Sequence, residues 1–205
     1  MRILVVAATE FEIPRLVTGV RGVNQIEVLV TGIGILATAA QVARALAIAP
    51  YDLAFNFGVC GSFDSSLAPG TVVHIVRDCL SELGVEDGDR LMTLEEAGLA
   101  GSHVVENLAP LPLPVLRSLP VARAITVNTV HGHEPSIARV VERLNPQVES
   151  MEGAAFAYAC VISGVRYAQV RAVSNIVERR NRAAWRMDLA IQNLNDKALE
   201  ILDSL

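Results

Sequence analysis

Charge and aromatic side chains are both scarce in this sequence: 19% of its 205 residues are charged and 4% are aromatic. A chain kept unfolded by its composition would combine few apolar residues with high net charge, and this one does not. Basic residues number 17 against 22 acidic, for a formal net charge of −5. A nucleic-acid partner is therefore not expected, because phosphate binding needs a basic face. No run approaches the roughly 18 consecutive apolar residues of a membrane span, so no membrane partner is expected either. The opening Met1 to Ala8 has one basic residue and a short apolar run, and Glu10 and Glu12 follow at once, unlike a signal peptide. Cysteine is limited to Cys60, Cys79 and Cys160, with no C-x-x-C pair, and H-E-x-x-H is also missing. No metal and no cofactor are expected, and three unpaired thiols suit a reduced, cytoplasmic protein. What the sequence has in quantity is apolar residues, 52%, enough for one large core in a single domain spanning 1–205.

Short apolar runs without alternation predict buried parallel strands at Ile3 to Ala8, Ile26 to Thr31, Leu53 to Gly58, Thr71 to Val76, Ala124 to Val130 and Tyr167 to Val173. Helical patterns lie between and after them, at Leu36 to Ile48, Ser136 to Leu144, Gly153 to Ile162 and Arg182 to Leu205. Alternating strands and helices predict an α/β fold, a three-layer α/β/α sandwich around a mostly parallel twisted sheet. The acid- and glycine-rich Ser81 to Gly101 and the proline-rich Ala109 to Pro120 read as solvated connections, or as borders of a substrate pocket.

Ligands of such sheets sit beyond the carboxyl ends of the strands, so the residues there carry the functional reading. After the first strand come Glu10 and Glu12. Either can open a helix and favour its dipole, and Glu12 can instead serve as a general base. Gly32-x-Gly34-x-x-Ala37 fits a dinucleotide fingerprint, but Asp52 precedes the next strand where the acidic partner should follow it. The two glycines still permit backbone amides to approach an oxygen-rich ligand. Gly58 and Gly61 permit a tight turn, and Cys60 between them reads as a buried inert thiol. His131-Gly132-His133 reads as a pocket wall or an ordinary loop, with no third ligand cluster to make it a zinc site. In Val148-Glu149-Ser150-Met151-Glu152-Gly153-Ala154, a carboxylate stands directly before a helix, either as dipole compensation or with a job of its own. Arg171 and the pair Ser174-Asn175 close the set at another strand end.

Taken together, Glu12, Gly32 to Gly34, Asn56 to Gly61, Met151-Glu152-Gly153-Ala154 and Arg171 to Asn175 resemble the purine nucleoside phosphorylase superfamily, and within it the nucleosidase branch. The ending Ser174 to Arg182, with Trp185 and Ala190 to Asn195, resembles the futalosine hydrolases of menaquinone biosynthesis more closely than the methylthioadenosine/S-adenosylhomocysteine nucleosidases. The resemblance implies hydrolysis of an N-glycosidic bond of a small-molecule nucleoside, here futalosine, with release of hypoxanthine. It implies that Glu152 holds the ribose hydroxyls with Met151 packed on the sugar, that Glu12 activates water, and that Asn175 bonds the departing purine. Gly34, Val59, Cys60 and Gly61 would line the ribose and base region, with His131 and Gly132 at the base. Arg179, Arg180 or Arg182 would meet the substrate's distant carboxylate, unless they form a solvated basic face. A homo-oligomer, dimer or larger, is implied as well. The adenine-cleaving nucleosidases carry an aspartate where this chain has Asn175, which favours a 6-oxopurine. Three alternatives stay open: an adenine- or aminodeoxyfutalosine-cleaving nucleosidase, a phosphorylase, and a nucleoside-binding module without catalysis. Phosphorylases of the superfamily place arginines at the glycine-rich turns, and 32–36 and 58–62 contain none.

Overall fold

The computed structural model describes residues 1–205. Nine strands form one mixed sheet: β1 (Arg2–Ala7), β2 (Gly19–Arg21), β3 (Asn24–Val30), β4 (Leu53–Ser62), β5 (Val72–Leu80), β8 (Val104–Glu106), β9 (Val121–Thr126), β10 (Val148–Ser150) and β11 (Arg166–Ile176). The order is β10-β9-β5-β11-β4-β1-β3-β2, with β8 alongside β5. Pairing is parallel through β3, β1, β4 and β11, and antiparallel where β5 meets β11 and β8, and where β2 meets β3. β10 also pairs with β4, Glu149 opposite Gly61, so β10, β9, β5, β11 and β4 close into a ring.

The layers follow from the two-residue period of the strands. On β1, Ile3, Val5 and Ala7 face one core and Leu4 and Val6 the other. The first core receives α5 (Met187–Asp203) through Ala190, Leu194, Ala198 and Ile201. The second receives α1 (Ile35–Ile48) through Val42 and Ala45, and α4 (Gly153–Ser163) through Phe156, Ala157, Ala159 and Cys160. α3 (Glu134–Leu144) adds Val140 to a smaller cluster with Cys79, Ile125 and Val127. The three-layer α/β reading is therefore correct, and no helix is long and apolar enough to cross a membrane.

Several boundaries differ from expectation. The strand expected over 71–76 runs on to Leu80 because both β8 and β9 pair with it. The strand expected over 124–130 is Val121–Thr126, and after Val127 the chain is held as a loop by Glu82, which accepts from Asn128 N and Nδ2, and by Glu149. The final helix starts at Met187 instead of Arg182. The residues before it are tied to the end of β11, with Trp185 under the Arg180 and Arg182 guanidiniums and Arg186 N donating to the Ser174 carbonyl at 2.8 Å. Residues 81–101 contain a hairpin of β6 (Val85–Asp87) and β7 (Arg90–Met92), which faces α3 across a charged cleft. Residues 109–120 are no solvated connection: α2 (Pro114–Arg117) and its flanks bury Leu111, Leu116 and Leu119 in the first core.

Candidate active site

Six segments converge at the carboxyl edge of the sheet, and their centre is Arg171. It lies on β11, is 1% exposed and is the largest fully buried side chain in the molecule. A cation inside a sheet must have partners. One guanidinium nitrogen, Nη2, donates to Asn56 Oδ1, and Asn56 Nδ2 is itself held by the Val6 carbonyl at 3.0 Å. Nη1 lies 3.9 Å from Glu152 Oε2. Gly58 leaves the room for this: a Cβ there would sit 2.2 Å from Arg171 Nη1 and 3.0 Å from Glu12 Oε1. Two buried carboxylates thus face one buried guanidinium from different elements.

Glu12 ends a 3-10 turn over Glu10–Glu12. Glu10 points to solvent and Glu12 is buried, so of the two carboxylates only Glu12 faces the site. Glu12 Oε1 accepts from Val59 N at 3.0 Å, and Oε2 from Thr9 N at 3.1 Å. Burial pushes the Glu12 carboxyl above the ordinary glutamate value. The Val59 amide and Arg171 pull against that shift and the Glu152 charge adds to it. A carboxylate so tuned takes a proton near neutral pH better than an exposed one.

Glu152 occupies the N-cap position of α4 but does not cap it. The first amides of α4 are met by other groups: Gly153 N by Ser150 Oγ at 3.4 Å and Ala154 N by Thr126 Oγ1 at 2.8 Å. The Glu152 side chain is free to cross to the turn after β3, where Oε1 accepts from Gly34 N at 3.0 Å. Gly34 has φ +97°, a conformation open to glycine, and this aims its amide at the carboxylate. Its carboxylate therefore makes no capping hydrogen bond to α4 and is held by the Gly34 turn instead. Below α4, Asp78 accepts from Thr126 Oγ1 and Gln169 Nε2, and burial raises its carboxyl to about 7.

Beside this centre a pocket is lined by Gly61, His131, Glu149, Asn175, Arg180 and Trp185 among others. Asn175 enters it through a bulge: Val173 pairs with Cys60 and Asn175 with Gly61, leaving Ser174 as the extra residue. Asn175 Oδ1 accepts from Ser174 Oγ at 2.8 Å, and Nδ2 donates one hydrogen to the Ile176 carbonyl at 3.0 Å, so one amide hydrogen remains. Glu149 is 4% exposed and accepts twice from His131, from the backbone N at 3.0 Å and from Nδ1 at 2.6 Å.

Of the residues singled out by sequence, Glu12, Glu152, Gly34 and Val59 share the hydrogen bonds around Arg171, and Met151 N reaches Glu152 Oε2 at 3.3 Å. Asn175, Gly61 and His131 share the pocket, and Gly132 packs against Arg180, whose N donates to the Gly132 carbonyl. Cys60 is buried with its thiol pushed up to about 12, so it is no nucleophile. Arg180 lines the pocket, Arg182 lies over the Trp185 ring, and Arg179 is exposed and reaches neither. His133 is exposed at the start of α3, and no group of three His, Cys, Asp or Glu side chains is gathered to hold a metal. Asp52 accepts from Arg2 N at the opposite end of the sheet from Gly32 and Gly34, which ends the dinucleotide reading. Sequence reasoning gave no role to Glu149, Asn56 or Arg171. The available signal was a basic residue inside a predicted buried strand, Tyr167 to Val173, which burial disfavours without carboxylate or amide partners.

The model of the phosphorylase superfamily matches residues 5–205. Futalosine hydrolase of Thermus thermophilus is 33% identical over 174 residues, covering 81% of this chain and 76% of that one. Futalosine hydrolase of Streptomyces coelicolor is 33% identical over 193 residues, covering 87% and 80%. Among solved structures, futalosine hydrolase of Helicobacter pylori superposes with a TM-score of 0.85 at 15% identity, covering 100% of this chain and 98% of that one. The 5'-methylthioadenosine/S-adenosylhomocysteine nucleosidase of the same organism gives 0.84 at 14% identity, covering 100% and 98%.

Proposed function

The chain belongs to the futalosine hydrolase family of the phosphorylase superfamily, and on that premise we propose that it hydrolyses the N-glycosidic bond of futalosine, releasing hypoxanthine, in menaquinone biosynthesis. The observation that carries the reading is the pair of buried carboxylates, Glu12 and Glu152, converging on Arg171 beside the Asn175 pocket. Cleavage of a ribosyl–nitrogen bond builds positive charge on the sugar and negative charge on the base. Glu152 accepts hydrogen bonds from the ribose hydroxyls in place of Gly34 N, with Met151 against the sugar. Glu12, ionised, takes a proton from the attacking water as it meets the anomeric carbon. The fixed negative charges stabilise the developing cation, while Arg171 holds both carboxylates in place without neutralising either through a close contact. On the base side, Asn175 offers its remaining amide hydrogen to the departing purine. Gly34, Val59, Cys60 and Gly61 form the walls, His131 and Gly132 border the base, and Arg180 or Arg182 meets the distant carboxylate. Arg179 is the weakest of that set because it neither lines the pocket nor meets the Trp185 ring, as Arg180 and Arg182 do.

The active form is proposed to be one domain per chain in a cytoplasmic homo-oligomer. Support for the assembly is apolar surface on neighbouring elements: Ile33 and Leu36 at the start of α1, and Tyr158, Val161 and Ile162 on α4, are all exposed. The test of function is to incubate pure protein with futalosine, inosine and methylthioadenosine in phosphate-free buffer and to follow free base by chromatography. Hypoxanthine from futalosine is expected, with little base from the other two. No base from futalosine would overturn the reading.

A further inference from the structure

Glu149 has no part in the sugar chemistry, yet it is a buried carboxylate on the wall of the base pocket. Its strand, β10, places it opposite Gly61 on β4. A Cβ on Gly61 would lie 3.4 Å from Asn175 Nδ2 and 3.5 Å from Glu149 Cγ, so the amide and the carboxylate flank the same glycine. No lysine or arginine pairs with Glu149; its two oxygens are held only by His131, one by the backbone N and one by Nδ1. Each oxygen spends one lone pair on those bonds and keeps another. The plainer alternative is a clasp that holds the loop after β9 to β10. A clasp needs an acceptor for one amide, which a neutral side chain supplies without burying a charge. A carboxylate clamped at both oxygens, unpaired with a guanidinium and open to a pocket suits an outside donor instead.

Along its outer edge a 6-oxopurine presents N7 and O6 as acceptors and then N1–H as a donor. A 6-aminopurine presents N7 as acceptor, the amino group as donor and N1 as acceptor. Asn175 has one hydrogen left to share between the acceptors at N7 and O6, and its Oδ1 is already held by Ser174 Oγ, so a donor at N1 is left to another acceptor. We infer that Glu149, fixed by His131, is the specificity-determining residue that accepts the N1–H of a 6-oxopurine and rejects a 6-aminopurine, whose N1 lone pair would face the carboxylate. The inference rests on the purine-releasing reading above and adds to it the group that reads the far edge of the base.

The test compares kcat/KM for futalosine, its N1-methyl derivative and its 6-amino analogue in wild type and in Glu149→Gln. Wild type is expected to lose at least tenfold on the N1-methyl and 6-amino substrates. Glu149→Gln, whose amide can accept from N1–H or donate to N1, is expected to shrink the 6-oxo to 6-amino ratio by tenfold or more. A clasp would lower all three substrates in proportion, and an unchanged ratio with equal loss overturns the inference. Should Glu149→Gln fold poorly, wild-type inhibition decides: hypoxanthine is expected to bind at least tenfold tighter than 1-methylhypoxanthine, and equal inhibition overturns the inference. Wild type that releases no base from any substrate removes the catalytic reading itself, and the inference with it. Wild type that releases hypoxanthine with an unchanged ratio in the variant removes only the role of Glu149.

Discussion

At the scale of single residues, the functional reading depends on which carboxylates are buried and what each one touches. Glu10 and Glu12 are two positions apart, and the structure shows what holds Glu12: Val59 N on one of its oxygens and Thr9 N on the other. Sequence could offer Glu12 as a base but not show that burial raises its carboxyl. The consequence for activity has a definite sign. A general base works ionised, so a raised carboxyl moves the acid limb of kcat/KM above 4.5, the ordinary glutamate value. Glu12→Gln is expected to fold, to bind substrate and to lose about 10²–10⁴-fold in kcat. Steady-state kinetics over pH 4 to 9 check both parts; near-normal turnover in the variant would remove Glu12 from the chemistry. Arg171 was legible as a basic residue inside a predicted buried strand, but its partners Asn56 and Glu152 lie 115 and 19 positions away and had no sequence signal to join them.

Among the elements, α4 shows why a motif in sequence can hide its reason. Glu152-Gly153-Ala154 reads as a helix start, where a carboxylate has a conventional use. The fold gives the capping to Ser150 and Thr126 and sends Glu152 across to Gly34. Gly153 is required for the same arrangement, since a Cβ would lie 2.1 Å from Gln169 Nε2 and 2.2 Å from Asp78 Oδ2. Gly153→Ala is expected to lower stability by about 1–3 kcal/mol, the usual cost of overpacking. It is also expected to reduce kcat/KM through displacement of Glu152, as thermal melting and kinetics on one sample will report. An active variant of wild-type stability would mean the α4 start is looser than its contacts indicate. The central strands were legible because both faces of a parallel sheet are covered and their sequences are apolar throughout. β6, β7 and β8 were not, being three residues each, mostly exposed and defined only by their pairing. The start of α5 was misplaced because Arg182 to Arg186 continue the helical pattern, while Trp185 and the bond from Arg186 N to Ser174 hold them at the site.

For the whole molecule, the apolar surface near α1 and α4 is where a second copy is proposed to dock. Leu36 is 85% exposed and Ile33 63%, and both flank Gly34, the partner of Glu152. Leu36→Asp is expected to shift the protein from oligomer to monomer in sedimentation equilibrium and to reduce turnover. A wild type that sediments as a monomer would show that this face needs no second copy. The overall α/β class was legible from alternating apolar runs, whereas the closed ring was not, because β10 is too short to announce itself and meets β4 only across its far end. That closure brings Glu149 to Gly61 and so forms the pocket that Asn175 lines. The central claim is that water, positioned by Glu12, cleaves the bond between sugar and purine. It is tested most directly by single-turnover reaction with futalosine in phosphate-free ¹⁸O-labelled water, with mass analysis of both products. The expected result is free hypoxanthine and a sugar product carrying one ¹⁸O at the anomeric carbon, with both signals nearly abolished in Glu12→Gln; no cleavage without added phosphate, or a sugar product free of label, would contradict it.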